Sequence, residues 1–136
     1  MNTNIQKPSD SENKVIYPEL SYNLVGAAFN IFNTAGYGMS EYFYQKAFAA
    51  ELEQNKINFE KEKFVRVDYG NQNIGKFFLD FVVDNKIVVE LKVRPKIGYV
   101  HIKQVTNYLK STGYKLAILI YFTRDGVKYR RIINAL

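Results

Sequence analysis

The segment Val88-Val89-Glu90-Leu91-Lys92-Val93 sets a carboxylate and an ammonium two residues apart inside an apolar run. On an extended strand successive side chains alternate faces, so Glu90 and Lys92 point one way and Val89, Leu91 and Val93 the other. Opposite charges on a central strand are costly unless they pair or bind something. One reading is a structural ion pair at the solvated end of the strand. Asp80 supports another, because it interrupts the otherwise apolar Phe77-Phe78-Leu79-Asp80-Phe81-Val82-Val83 on the preceding strand. Two carboxylates and a lysine at the end of a hairpin form a hard-oxygen site suited to Mg²⁺, with Mn²⁺ as the substitute. Such a cation holds a phosphate, lowers the pKa of bound water and stabilises a leaving oxygen. The lysine then orients that water or neutralises the charge of the transition state.

This assignment carries a register requirement. A strict two-residue turn at Asp84-Asn85 faces Val83 with Lys86 and Asp80 with Val89, placing Asp80 and Glu90 on opposite faces of the sheet. A three-residue loop over 84–86 brings Asp80 opposite Glu90. The sequence therefore predicts an odd-length loop or a bulge here, as is common beside active sites. Asp84 is the competing acid, but it belongs to the turn and points away.

Three further polar positions are candidates. Glu41 shares a helical stripe with Tyr44 and Phe48, which turns it toward the packed face, although an acid in the first turn also simply complements the helix dipole. Gln104 and Tyr108 continue a stripe begun by His101, at i, i+3 and i+7. They are placed to hydrogen-bond a phosphate or an attacking water, or else they edge a helix–sheet interface.

The elements that must position these groups follow from periodicity. Helices are predicted from about Tyr22 to Thr34, from Glu41 to about Asn55 with Ser40 as N-cap, and from Val100 to Thr112 ended by Gly113. Strands are predicted over Phe59–Asp68, Lys76–Val83, Lys86–Val93, Leu116–Phe122 and Val127–Ile133, the first two joined by the turn-rich 69–73. The order α-α-β-β-β-α-β-β makes an α/β chain with a mixed sheet flanked by helices. Its step from strand 86–93 through helix 100–112 to strand 116–122 is a parallel crossover. Residues 1–14 are polar and aperiodic and are expected to form a disordered tail. Residues 15–136 read as one domain.

Composition narrows the chemistry further. The 136 residues are 47% hydrophobic and 15% aromatic, a globular balance with room for one core. With no cysteine and His101 as the only histidine, thiolate zinc sites, disulfides and His-rich metal sites are excluded. No apolar run spans a bilayer and no signal peptide is visible, so a cytoplasmic protein is expected. The net charge of +6 is concentrated late: residues 94–136 hold nine Lys/Arg and one acid, Asp125. A basic surface of this kind suits a polyanion, and Arg94, Lys96, Lys103 and Lys110 are the residues expected to meet nucleic-acid phosphates. A merely solvated basic surface is the plainer reading. The 11 tyrosines leave room for a homodimer interface.

The stretch GYGMSEYFY at 36–44 contains Gly38-x-x-Glu41-x-x-Tyr44, which resembles the signature of the GxxExxY proteins. That family is grouped with the PD-(D/E)XK nuclease superfamily. In order there follow LDFVVDNKIVVELK at 79–92, QVTNYLKSTG at 104–113 and the strand LAILIYF. The resemblance covers about residues 15–133 and implies an α-β-β-β-α-β core. Carried over, it implies that Asp80 and Glu90 are metal ligands, Glu41 the helix-borne acid added to the metal site, and Lys92 the catalytic lysine. Gln104 and Tyr108 match the Q-x-x-x-Y helix of the superfamily's exonuclease branch. Leu79 stands where the superfamily name has proline, which leaves the ligands untouched. The implied function is a Mg²⁺-dependent nuclease acting on DNA rather than RNA with little sequence specificity. The alternative is a non-catalytic nucleic-acid-binding module retaining the fold.

Overall fold

The computed structural model describes residues 16–135, and the tail expected over 1–14 lies outside them. The elements run α1 (Pro18–Ala35), α2 (Glu41–Gln54), β1 (Phe59–Tyr69), β2 (Gln72–Val83), β3 (Ile87–Val93), α3 (Tyr99–Thr112), β4 (Leu116–Thr123) and β5 (Gly126–Ile133). This is the order read from periodicity. The strands form one sheet in the order β1-β2-β3-β4-β5. All neighbours are antiparallel except β3 and β4, which are parallel and joined through α3.

The sheet separates two apolar layers. On one face α1 and α2 pack Leu24, Ile31, Tyr44, Phe48 and Leu52 against Val89, Leu91, Ile118, Ile120 and Phe122. On the other, α3 packs Val105 and Leu109 against Val88, Ala117, Leu119 and Tyr121. Both faces of β3 and β4 are covered, which explains why these strands read as nearly continuous apolar runs. No helix among the described residues is long and apolar enough to cross a membrane.

Several boundaries differ from the sequence reading. Helix α1 starts at Pro18, four residues before Tyr22, because proline at the first helical position has φ preset and no N–H to satisfy. Strand β2 begins at Gln72 rather than Lys76, since Tyr69 pairs with Gln72 and only Gly70 and Asn71 form the turn. Gly70 has φ of 62° there, a conformation glycine adopts without strain. Strand β5 and helix α3 each begin one residue earlier than read. None of these shifts moves a candidate site residue.

The β2–β3 connection has the predicted odd length. Val83 pairs with Ile87, leaving residues 84–86 as the loop. Asp84 and Asn85 both have positive φ, and Lys86 N–H donates to Val83 O at 2.9 Å, as in a type I′ turn. Lys86 is the extra residue, and it brings Asp80 level with Glu90.

Candidate active site

The ladder between β2 and β3 is regular from Val83/Ile87 to Phe81/Val89. At the next position the backbones are bridged by side chains. The amide of Asp80 donates to Glu90 Oε2 at 2.9 Å, and the amide of Leu91 donates to Asp80 Oδ2 at 2.9 Å. The two carboxylates thus stand in for the carbonyl acceptors that a continued ladder would supply. The irregularity extends to β1, where Glu62 takes φ of 55° and drops out of the pairing that would face Asp80. The facing of β2 also switches at this point. Phe77 and Leu79 pack in the α3 layer, whereas Phe81 and Val83 pack in the α1/α2 layer.

Asp80 Oδ1 and Glu90 Oε1 accept no hydrogen bond from the described residues. Glu90 is only 3% exposed. Burial, then the adjacent Asp80 carboxylate, push its pKa up to about 8. The Asp80 carboxyl is also raised, chiefly by burial, while the Leu91 amide and Lys92 pull it back. A buried and a half-buried acid with free oxygens and too little positive charge around them fit a hard divalent cation. Among the described residues no third acid or histidine already converges with them as a closed metal cage. Such a pair suits Mg²⁺, which keeps several waters and takes one or two carboxylates beside substrate phosphates.

Lys92 lies on the same face of β3 as Glu90 and acts electrostatically on both acids. It has no ion pair or hydrogen bond among the described residues. Its charge is therefore not consumed by the fold, contrary to the structural ion-pair reading of Glu-x-Lys.

Glu41 reaches the same end of β3 from α2. Its Oε2 accepts the Val93 N–H at 3.3 Å and lies 3.8 Å from Arg94 Nη1. That is more than dipole complementation. Its charge raises the pKa of both Asp80 and Glu90, so it belongs to the same electrostatic neighbourhood. The start of α2 is fixed by Ser40, which caps Phe43 N at 3.0 Å, and by Tyr44. The Tyr44 ring stacks on Phe122 at 4.2 Å, and its hydroxyl donates to Gly36 O while receiving Met39 N–H. The Gly38-x-x-Glu41-x-x-Tyr44 spacing thus holds an acid over the end of β3 by anchoring the loop before it.

Tyr108 faces the acids from α3. Its ring stacks on Phe77 at 4.2 Å, and Gln104 lies one turn before it on α3. Burial, then the charges of Glu90 and Asp80, push its pKa up to about 12, so its hydroxyl stays a proton donor. Arg94, paired with Glu41, and Lys96 are exposed just beyond β3, and Lys103 and Lys110 are exposed on α3 without an ion pair among the described residues. Arg131, counted in the basic C-terminal third, instead donates to Ile16 O and secures α1. Sequence reasoning passed over Phe77 and Tyr121. Tyr121 pairs in register with Lys92 and hydrogen-bonds His101, a relation between β4 and α3 with no local signal.

The solved crystal structure of SSO0001 is similar in fold, with a TM-score of 0.55 and 23% identity over 88% of this chain. The match spans 58% of that longer chain. Among curated proteins none matches the sequence. The sequence profile of the PD-(D/E)XK nuclease superfamily matches residues 18–132, which contain every candidate site position. With that match extending from the first helix to the last strand, the chain belongs to the PD-(D/E)XK nuclease superfamily.

Proposed function

We propose that the protein is a divalent-metal-dependent nuclease that hydrolyses phosphodiester bonds of nucleic acid, DNA in preference to RNA. The observation that carries this reading is the splayed end of the β2–β3 pair. There Asp80 and Glu90 each keep a free oxygen beside a lysine with no partner. In the proposal Asp80 and Glu90 hold the cation, and Glu41 reaches it through water or by releasing Val93. The bound cation, Mg²⁺ or Mn²⁺, would supply Lewis acidity and a more acidic water. Lys92 orients the attacking water and offsets charge on the phosphate, and Tyr108 with Gln104 donates hydrogen bonds to the strand. Arg94, Lys96, Lys103 and Lys110 contribute phosphate contacts without reading bases, so sequence preference is weak. The preference for DNA rests on superfamily membership. The Gly38-x-x-Glu41-x-x-Tyr44 signature supports a place among the GxxExxY proteins, acting in the cytoplasm.

The test is incubation of the protein with labelled single- and double-stranded DNA and RNA in Mg²⁺, Mn²⁺ or EDTA, beside Glu90→Gln. Cleavage that needs the cation and vanishes in the variant is expected. Tight binding without cleavage under every cation would replace the nuclease by a binding module of the same fold.

A further inference from the structure

His101 is the only histidine of the chain and sits in the first turn of α3, facing Tyr121 on β4. The Tyr121 side chain is fully buried, so its hydroxyl must find partners inside the protein. Its oxygen accepts the Gly98 N–H at 3.1 Å, and its other contact is His101 Nδ1. The imidazole has two ways to make that contact. If Nδ1 carried the proton, the Tyr121 oxygen would accept twice and its own O–H would be buried without an acceptor, a costly arrangement. If Nδ1 is bare, Tyr121 O–H donates to it and every group of the Gly98–Tyr121–His101 chain is satisfied. The second arrangement places the ring proton on Nε2.

The surroundings favour the same neutral form. Burial lowers the pKa of His101, and the cations Lys92 and Arg94 at the end of β3 lower it further. Glu41 on α2 opposes them, and Tyr121 on β4 already occupies Nδ1. Tyr121 is the in-register neighbour of Lys92 on the parallel strand, so its side chain leaves the sheet on the same face. The ring is only part-buried, and Nε2 has no hydrogen bond among the described residues. A neutral N–H donor is thus held beside the lysine without a partner of its own.

We propose that His101 is a substrate-contacting residue whose Nε2–H donates to a phosphate oxygen of the strand held at Asp80, Glu90 and Lys92. Tyr121 and Gly98 are positioning groups that fix the tautomer. This inference rests on the nuclease reading of the site. A neutral donor at this place recognises phosphate without adding a second cation next to Lys92, and it keeps that role at any pH above the lowered pKa.

Because the chain has one histidine, a long-range ¹H–¹⁵N correlation spectrum reports this ring alone. The spectrum is recorded on the full chain between pH 6 and 8. A 12-nucleotide single strand or duplex of DNA or RNA is then added with Ca²⁺, using whichever binds most tightly. The expected spectrum has a bare Nδ1 and a protonated Nε2, and the Nε2 resonance moves as the oligonucleotide saturates the protein. In cleavage assays with Mg²⁺, His101→Ala is expected to lose roughly 10- to 100-fold in kcat/KM. His101→Gln, whose amide nitrogen reaches about where Nε2 lies, retains activity within a few-fold of wild type. Tyr121→Phe is expected to mix the two tautomers and raise the ring's pKa. A proton on Nδ1 in the wild type, an Nε2 resonance unmoved in a saturated complex, or equal loss in the Ala and Gln variants overturns the role of His101 and leaves the nuclease reading intact. Failure of the wild type to bind any of the four polymers removes both.

Discussion

The amide of Asp80 donates to the carboxylate of Glu90 at 2.9 Å, and the next amide after Glu90, that of Leu91, donates to Asp80 at the same distance. The two acids are thereby each other's scaffold. Each carboxylate spends one oxygen completing the partner strand's backbone bonding and presents the other. This arrangement ends the β2–β3 ladder and builds the candidate site with the same four groups.

Glu90→Gln should separate those two roles. The amide oxygen of glutamine still accepts the Asp80 N–H, so the splayed geometry survives, while the group that would ionise beside Asp80 to hold a cation is gone. Melting without metal near neutral pH is expected to rise by a few degrees, because folding no longer requires a buried acid to take up a proton. Cleavage should fall by roughly two orders of magnitude or more. A variant that melts well below wild type would show that the charge itself holds the strands together.

The raised Glu90 pKa of about 8 gives the metal-free protein a defined pH dependence. Unfolded, this carboxyl titrates near its ordinary value of 4.5, so between the two values the folded state binds a proton that the unfolded state has released. Stability in EDTA must then decline as pH rises from about 5 to 8, by several degrees in melting midpoint. Asp80, also raised, acts in the same direction. Added Mg²⁺ favours the ionised acids and should flatten or reverse the slope. Melts across this range with and without the cation check the prediction, and a flat profile in EDTA would contradict it.

Lys92→Met removes a cation that lowers the pKa of both acids but is tied into no hydrogen bond. The fold should tolerate the loss, with a stability change within about 1 kcal/mol. The acids should become harder to ionise, so the metal dependence of melting shifts to higher cation concentration. Cleavage is expected to drop about 100-fold or more while nucleic-acid binding weakens only modestly. Comparable loss in binding and turnover would place Lys92 in ground-state contact with phosphate alone.

The convergence of Asp80, Glu90 and Lys92 on one sheet end was legible because it follows from strand arithmetic. Alternation puts Glu90 and Lys92 on one face, and parity requires the odd-length loop that Lys86 provides. The change of facing at Asp80 was not legible. It depends on Glu62 leaving the ladder on the far side of β2, a backbone event without a glycine or proline to announce it. The stacking of Tyr108 on Phe77 and the Tyr121–His101 contact were hidden for a related reason. Each joins elements that periodicity locates along the chain but does not rotate against one another. Arg131 illustrates the converse error. Charge counting assigns it to a polyanion surface, whereas it fastens the beginning of α1.

Tyr44 offers the sharpest test of how the loop before α2 serves the site, because its ring and its hydroxyl do different work. The ring, fully buried, stacks on Phe122 and belongs to the core. The hydroxyl holds Gly36 and Met39, on either side of Gly38 with its φ of 109°. Tyr44→Phe keeps the stack and releases the loop, which should cost about 1 kcal/mol of stability. Glu41 follows the loop directly and depends on its path to reach the Val93 N–H. Activity in Tyr44→Phe is therefore expected to fall several-fold further than the small stability loss explains, with the deficit shrinking at high Mg²⁺. Tyr44→Ala, by contrast, should cost about 3–5 kcal/mol through the cavity left under Phe122 and abolish activity by unfolding. Comparing cleavage at matched folded fractions distinguishes the two effects. Full activity in Tyr44→Phe would mean that Glu41 keeps its place without the hydroxyl, and that the tyrosine is there for its ring.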